Sequence, residues 1–268
     1  MRSAFWRSAV PTIRFSANLG FLWQELALPD AIRRARDAGF DAVECHFPYA
    51  VDPAAVKAAL DETGLKMLGL NTSRGDREGD FGLAALPDRV EEARAAIDQA
   101  VDYARAIGAG AVHVMAGKSQ GVDGAQATFE ANLAYACEAA GDMTILIEPI
   151  NQRDAPGYFL SYQAQAADIV ARVGKPNLKI MFDCYHAQIM EGDLLKRFEQ
   201  HLPMIGHLQI AAVPSRGEPD EGEIAYDRLL PAMADLGWDG HVGAEYRPRT
   251  TTDAGLGWMT AYKSHARS

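Results

Sequence analysis

Short apolar runs alternate with longer segments of helical periodicity eight times along this chain, and few folds accommodate that pattern in one unit. The runs fall at 13–18, 42–46, 66–71, 111–115, 144–148, 178–183, 205–210 and 240–245. Several carry apolar residues at consecutive positions, as expected of parallel strands covered on both faces. Helical patterns follow at 29–38, 53–63, 87–107, 126–140, 161–173, 192–201, 226–236 and 255–266. Glycines at 39, 64, 108 and 237 stand where helices must stop, since glycine tolerates the left-handed conformation.

At 268 residues, 48% of them hydrophobic, the chain can bury one large core. Eight strand–helix pairs predict an α/β protein, a single-domain (β/α)8 TIM barrel, in preference to an open doubly wound sheet. An open sheet with a nucleotide site needs a glycine fingerprint after its first strand. Asn18-Leu19-Gly20 does not supply one, and no GxxxxGK[ST] occurs. The barrel is expected over 13–268. Residues 1–12 are expected as a frayed extension, because Arg2 and Arg7 flank no continuous apolar stretch of the kind a signal peptide needs.

A net charge of −10 argues against a nucleic-acid surface, which would need a basic stripe. No apolar stretch approaches the ~20 residues of a transmembrane span. Cys45, Cys137 and Cys184 show neither CxxC nor metal-ligand spacing, which predicts buried free thiols in a reducing compartment and a cytoplasmic protein.

The chemistry gathers at four strand ends. Glu148, Asp183, Gln209 and Glu245 each close an apolar run, one repeat apart, so a barrel turns all four toward one mouth. Three carboxylates and an amide oxygen make a hard-oxygen site suited to Mg²⁺ or Mn²⁺. The alternative for any one of them is an acid capping a helix or pairing with an arginine.

Seven segments carry a resemblance. They are Arg14-Phe15-Ser16-Ala17-Asn18-Leu19; Gly39-Phe40-Asp41-Ala42-Val43-Glu44 with Phe47-Pro48-Tyr49; Ile147-Glu148-Pro149-Ile150-Asn151; Asp183-Cys184-Tyr185-His186; Gly206-His207-Leu208-Gln209-Ile210-Ala211; Arg216-Gly217-Glu218-Pro219 with Gly222-Glu223-Ile224; and Glu245-Tyr246-Arg247-Pro248 with Thr250-Thr251-Thr252. Together they resemble the sugar isomerase/epimerase (xylose isomerase-like) TIM-barrel superfamily, and within it the hydroxypyruvate isomerase branch. The resemblance implies that Glu148 and Glu245 are the acid/base pair, and that Asp183 and Gln209 complete a divalent-metal site with them. It implies substrate contacts for His186 and Arg216, a pocket-wall place for Glu44, and a homodimer. Gln209 stands where ketose 3-epimerases carry His. The segment 72–79, next to the candidate contact Asn71, departs from the family's Leu-Pro-Ala-Gly-Asp, and Leu70 stands where His is expected.

The reaction so implied interconverts hydroxypyruvate and tartronate semialdehyde through a cis-enediolate. A substrate carboxylate needs a cation, for which Arg216 leads, followed by Lys118 and Arg247. The competing readings are a 2-oxo-tetronate isomerase, a ketose 3-epimerase, and a sugar-acid binding protein without turnover. His113 reads as a hydrogen-bonded core residue, and His207 as sharing a strand face with Gln209.

Overall fold

The computed structural model describes residues 13–263, so the expected extension 1–12 and the end of the last expected helix lie outside the described residues. The strands are β1 (Arg14–Asn18), β2 (Ala42–Glu44), β3 (Lys66–Met67), β4 (Leu70–Asn71), β5 (Ala111–His113), β6 (Thr144–Ile147), β7 (Leu178–Asp183), β8 (Ile205–Ile210) and β9 (His241–Ala244). The helices are α1 (Leu28–Asp37), α2 (Pro53–Thr63), α3 (Val90–Ile107), α4 (Ala125–Ala140), α5 (Gln163–Val173), α6 (Cys184–Met190), α7 (Leu194–His201), α8 (Tyr226–Asp235), α9 (Thr252–Gly255) and α10 (Met259–Lys263).

All ladders are parallel, in the order β3-β2-β1-β9-β8-β7-β6-β5-β4. The two ends of that order, β3 and β4, are halves of the single strand expected at 66–71, interrupted at Leu68-Gly69. The ring stays bonded across the break: Leu68 N–H donates to the Val43 carbonyl at 2.7 Å, Cys45 N–H to that of Gly69 at 3.1 Å, and Gly110 N–H to that of Met67 at 3.0 Å. The chain is therefore an eight-position TIM barrel with one broken stave.

Local chemistry sets the helix bounds. Asp52 accepts a hydrogen bond from Ala54 N–H and Pro53 occupies the first turn of α2, which Gly64 ends at φ 71°. The pattern at 87–107 becomes helical only from Val90, because Arg89 is held in the preceding turn by its side-chain bonds. Helix α6 lies outside the helical segments expected from the sequence. Asp183, the last residue of β7, is its N-cap and accepts from Tyr185 N–H at 2.8 Å, so strand passes into helix without a loop.

Most hydrophobic residues of the strands and the inner helix faces join one large core that includes Phe15, Trp23, Tyr246 and Trp258, with Ala111, Leu146 and Met181 as a separate small cluster. Cys45, Cys137 and Cys184 are buried and unpaired. Among the described residues no helix is long and apolar enough to cross a membrane.

Candidate active site

The C-terminal ends of the strands surround a cavity of about 150 Å³ lined by residues that include His46, Asn71, Arg74, His113, Glu148, His186, Arg216 and Glu245. That is well under the ~300–1,000 Å³ of drug-sized pockets, so it suits a ligand of few atoms. Glu148 and Glu245 each stand one residue beyond their strands. One ligand atom from each of Glu148, Asp183, His186 and Glu245 lies within 4.8 Å of the others, and all four residues are buried.

Glu245 is the best-supported acid. Its Oε1 accepts from Asn18 Nδ2 at 2.9 Å and lies 2.9 Å from His46 Nε2, while Oε2 accepts from Arg216 at 2.9 Å. Burial alone would raise its pKa; the His46 hydrogen bond and the charge of Arg216 outweigh it and bring the carboxyl down to about 2. Glu148 is pushed the other way, well above the usual carboxylate range, by burial and then by the charges of Glu245 and Asp183. Burial and Glu245 likewise push Asp183 up to about 7.

His186 gains a defined tautomer from Asn151. The backbone N–H of Asn151 reaches its Nδ1 at 3.3 Å and the side-chain Nδ2 lies 2.7 Å from the same atom. Two donors on Nδ1 favour the ring proton on Nε2, which lies 3.5 Å from Glu148 Oε1, from Asp183 Oδ2 and from the Arg216 guanidinium. Burial, then Arg216, lowers its pKa to about 3, so it is a neutral donor facing the cavity.

One layer deeper, Glu44 Oε2 lies 2.7 Å from His207 Nε2 and accepts from Gln209 Nε2 at 3.2 Å. The expected shared face of His207 and Gln209 is present, and Glu44 binds both. Because its amide nitrogen is engaged below, Gln209 turns its oxygen the other way. Gly243, paired with Ser16 and Gln209 across the ladders, leaves room for this group: a Cβ there would sit 2.2 Å from Glu44 Oε1.

Three oxygens, Glu148 Oε1, Asp183 Oδ2 and Gln209 Oε1, are buried without a hydrogen-bond partner among the described residues. Buried oxygens without donors are costly unless a cation or ligand satisfies them. This all-oxygen set fits a hard divalent cation such as Mg²⁺ or Mn²⁺.

Several expectations are corrected. Lys118 is exposed and does not line the cavity, although Met115 before it does. Glu44 lines the barrel interior beneath the mouth and not the mouth cavity itself. His113 is no hydrogen-bonded core residue: among the described residues neither ring nitrogen has a hydrogen-bond partner, and Nδ1 lies 3.6 Å from Glu148. Arg216, buried to 14% exposure and held at φ 55°, is already paired with Glu245. Asn71 lines the cavity and its carbonyl accepts from the Tyr49 hydroxyl. Asn18, His46 and Arg74 were missed. For the first two, position at a strand end was the available signal.

The sequence profile of the xylose isomerase-like TIM barrel matches residues 32–262. The chain belongs to that family. It is 48% identical over 255 residues to the 2-oxo-tetronate isomerase of Cupriavidus necator, covering 93% of this chain and 98% of that protein. It is 42% identical over 257 residues to the hydroxypyruvate isomerase of Escherichia coli, covering 94% of this chain and 100% of that protein. A crystal structure described as AP endonuclease, family 2 from Brucella melitensis superposes with a TM-score of 0.89 at 40% identity, over 94% of this chain and 99% of the other.

Proposed function

We propose that this chain is an isomerase of short 2-oxo acids that interconverts hydroxypyruvate and tartronate semialdehyde. The observation that carries the reading is the facing pair Glu148 and Glu245, two buried carboxylates in one small cavity whose surroundings drive their proton affinities apart. Two titratable groups so separated are suited to taking and giving a proton at adjacent carbons.

In the protein alone the surroundings favour the ionised form of Glu245 and the protonated form of Glu148. One carboxylate removes the hydrogen from the hydroxymethyl carbon, leaving a cis-enediolate. The other returns a proton to the neighbouring carbon while the hydroxyl proton passes from the first oxygen to the second, and the neutral Nε2–H of His186 donates toward the oxygen on which charge develops. Each positioned acid or base contributes about 10²–10⁴-fold. Glu148, Asp183, Gln209 and Glu245 would hold a divalent ion, which when bound supplies positive charge opposite the enediolate oxygens. A second reading, 2-oxo-tetronate as substrate, is favoured by the 48% identity to the enzyme of that name and uses the same residues.

The test is a coupled assay with tartronate semialdehyde reductase and NADH on hydroxypyruvate, run beside 2-oxo-tetronate isomerisation followed by NMR. Metal-stripped and Mg²⁺- or Mn²⁺-supplied protein would be compared with Glu148→Gln and Glu245→Gln. Turnover lost in both variants supports the acid pair. No turnover of either acid with any metal would end this reading.

A further inference from the structure

Arg74 is a guanidinium at the cavity rim without an acid to answer it. Its Cζ lies 4.7 Å from the ring centre of Phe47 and 5.0 Å from that of Phe81, so it is flanked by two aromatic rings. Among the described residues no carboxylate pairs with it, whereas Arg216 in the same cavity is committed to Glu245 at 2.9 Å and approaches Asp154 at 3.7 Å. Arg247, the other rim guanidinium, lies 5.7 Å from the ring of Phe21 alone.

The segment carrying Arg74 is fixed in place. Its carbonyl accepts from Gly82 N–H at 2.8 Å, and Asp80 is gripped by Arg89 through two hydrogen bonds of 2.7 and 2.8 Å. Gly75 (φ 111°) permits the close passage of Asp80, whose Oδ2 would lie 2.1 Å from a Cβ there.

We propose that Arg74 binds the carboxylate of the substrate and so selects acids over neutral sugars of the same length. The inference rests on the reading of an oxo-acid substrate made above and names the residue that enforces it. The two rings flank the guanidinium, whose planar fork suits a two-point bond to a carboxylate. Part of the side chain remains open to solvent, so an arriving anion displaces only weakly held water.

The experiment is calorimetric titration of the full chain with D-glycerate, a short hydroxy acid that cannot isomerise, with glycerol as the neutral control. Wild type would be compared with Arg74→Ala and Arg74→Lys. Loss of a charge-assisted hydrogen-bonded pair predicts glycerate affinity weaker by about 10- to 100-fold in Arg74→Ala, with a smaller loss in Arg74→Lys, which keeps charge but not the planar fork. Glycerol should not distinguish the three proteins. Equal glycerate affinity in wild type and Arg74→Ala, or no glycerate binding by wild type, overturns the assignment. The turnover assay is read separately: failure on both oxo-acids with the glycerate difference intact refutes the substrate reading and keeps the anion site. Where turnover is present, KM for the acid should rise by the same factor while kcat moves little.

Discussion

Gly243→Ala tests whether the buried Glu44–His207–Gln209 group shapes the barrel interior. Gly243 lies within β9, and its φ is outside the left-handed region, so its backbone accepts any residue. On conformational grounds alone, alanine in a strand interior should stabilise by about 0.5–1 kcal/mol. The surroundings predict the opposite sign. The new Cβ would lie 2.2 Å from Glu44 Oε1, 2.9 Å from Gln209 Cγ and 3.0 Å from His207 Nε2. The strand cannot retreat, because it is laddered to β1 on one side and β8 on the other.

Glu44 must therefore swing away. Hydrogen bonds to a charged group are worth ~1.5–3 kcal/mol each, and overpacking a closed interior costs ~1–3 kcal/mol. With one of the two Glu44 bonds lost and the overpacking partly relieved by that movement, a net loss of about 3 kcal/mol remains after the gain from alanine. At ~2–4 °C per kcal/mol for a domain of this size, Tm should fall by about 6–12 °C. Calorimetry and urea titration would measure it, with an unchanged m-value showing that the unfolded state is not the cause. In a double-mutant cycle Glu44→Ala should recover part of the loss, since it removes the obstructing oxygen. A Tm equal to or above wild type would refute the reasoning, because it would mean that Glu44 moves without penalty.

Adding Mg²⁺ or Mn²⁺ to metal-stripped protein should raise Tm, since an ion at 100 times its Kd stabilises by about 2.7 kcal/mol. Asp183→Asn should largely abolish that rise; an undiminished rise would show binding elsewhere. Arg216→Gly should be more stable than Arg216→Ala by about 1 kcal/mol, because both delete the guanidinium and only glycine is at ease at φ 55°; equal midpoints in denaturant would remove strain from the account. Arg89→Met should destabilise by about 2–3 kcal/mol, below the loss for a fully buried pair because Asp80 and Glu92 reach water. It should also quicken proteolysis of the 72–82 segment, which resistant digestion would contradict.

The barrel was legible because consecutive apolar runs and regularly spaced glycine stops repeat the same physical demand. Asp183 and Gln209 were legible for a related reason: a polar residue closing an apolar run needs a partner outside hydrocarbon. The misreadings arose where one residue answers two demands. Asp183 caps α6 while facing the acids, so no turn signal announced the helix. Gly69 interrupts a strand whose hydrogen bonds continue past it, and periodicity cannot register such a break. Lys118 failed as a candidate because charge type says nothing about direction once the chain leaves a strand. Arg74 went unnoticed as a cation because its value lies in two flanking rings, Phe47 and Phe81, brought up from separate segments.

The anchoring of Glu245 by Asn18 and His46 joins groups 227 and 199 positions apart along the chain. Such contacts form only after the ends of the chain have met, the slowest kind of pairing to reach. Turnover is therefore a clock for ring closure. During refolding the far-UV signal of helices should return while the protein is still inert, and activity should appear only with the β1–β9 seam. A growing chain that has yet to make β9 also lacks Glu245, so the cavity stays incomplete until the two ends of the barrel meet.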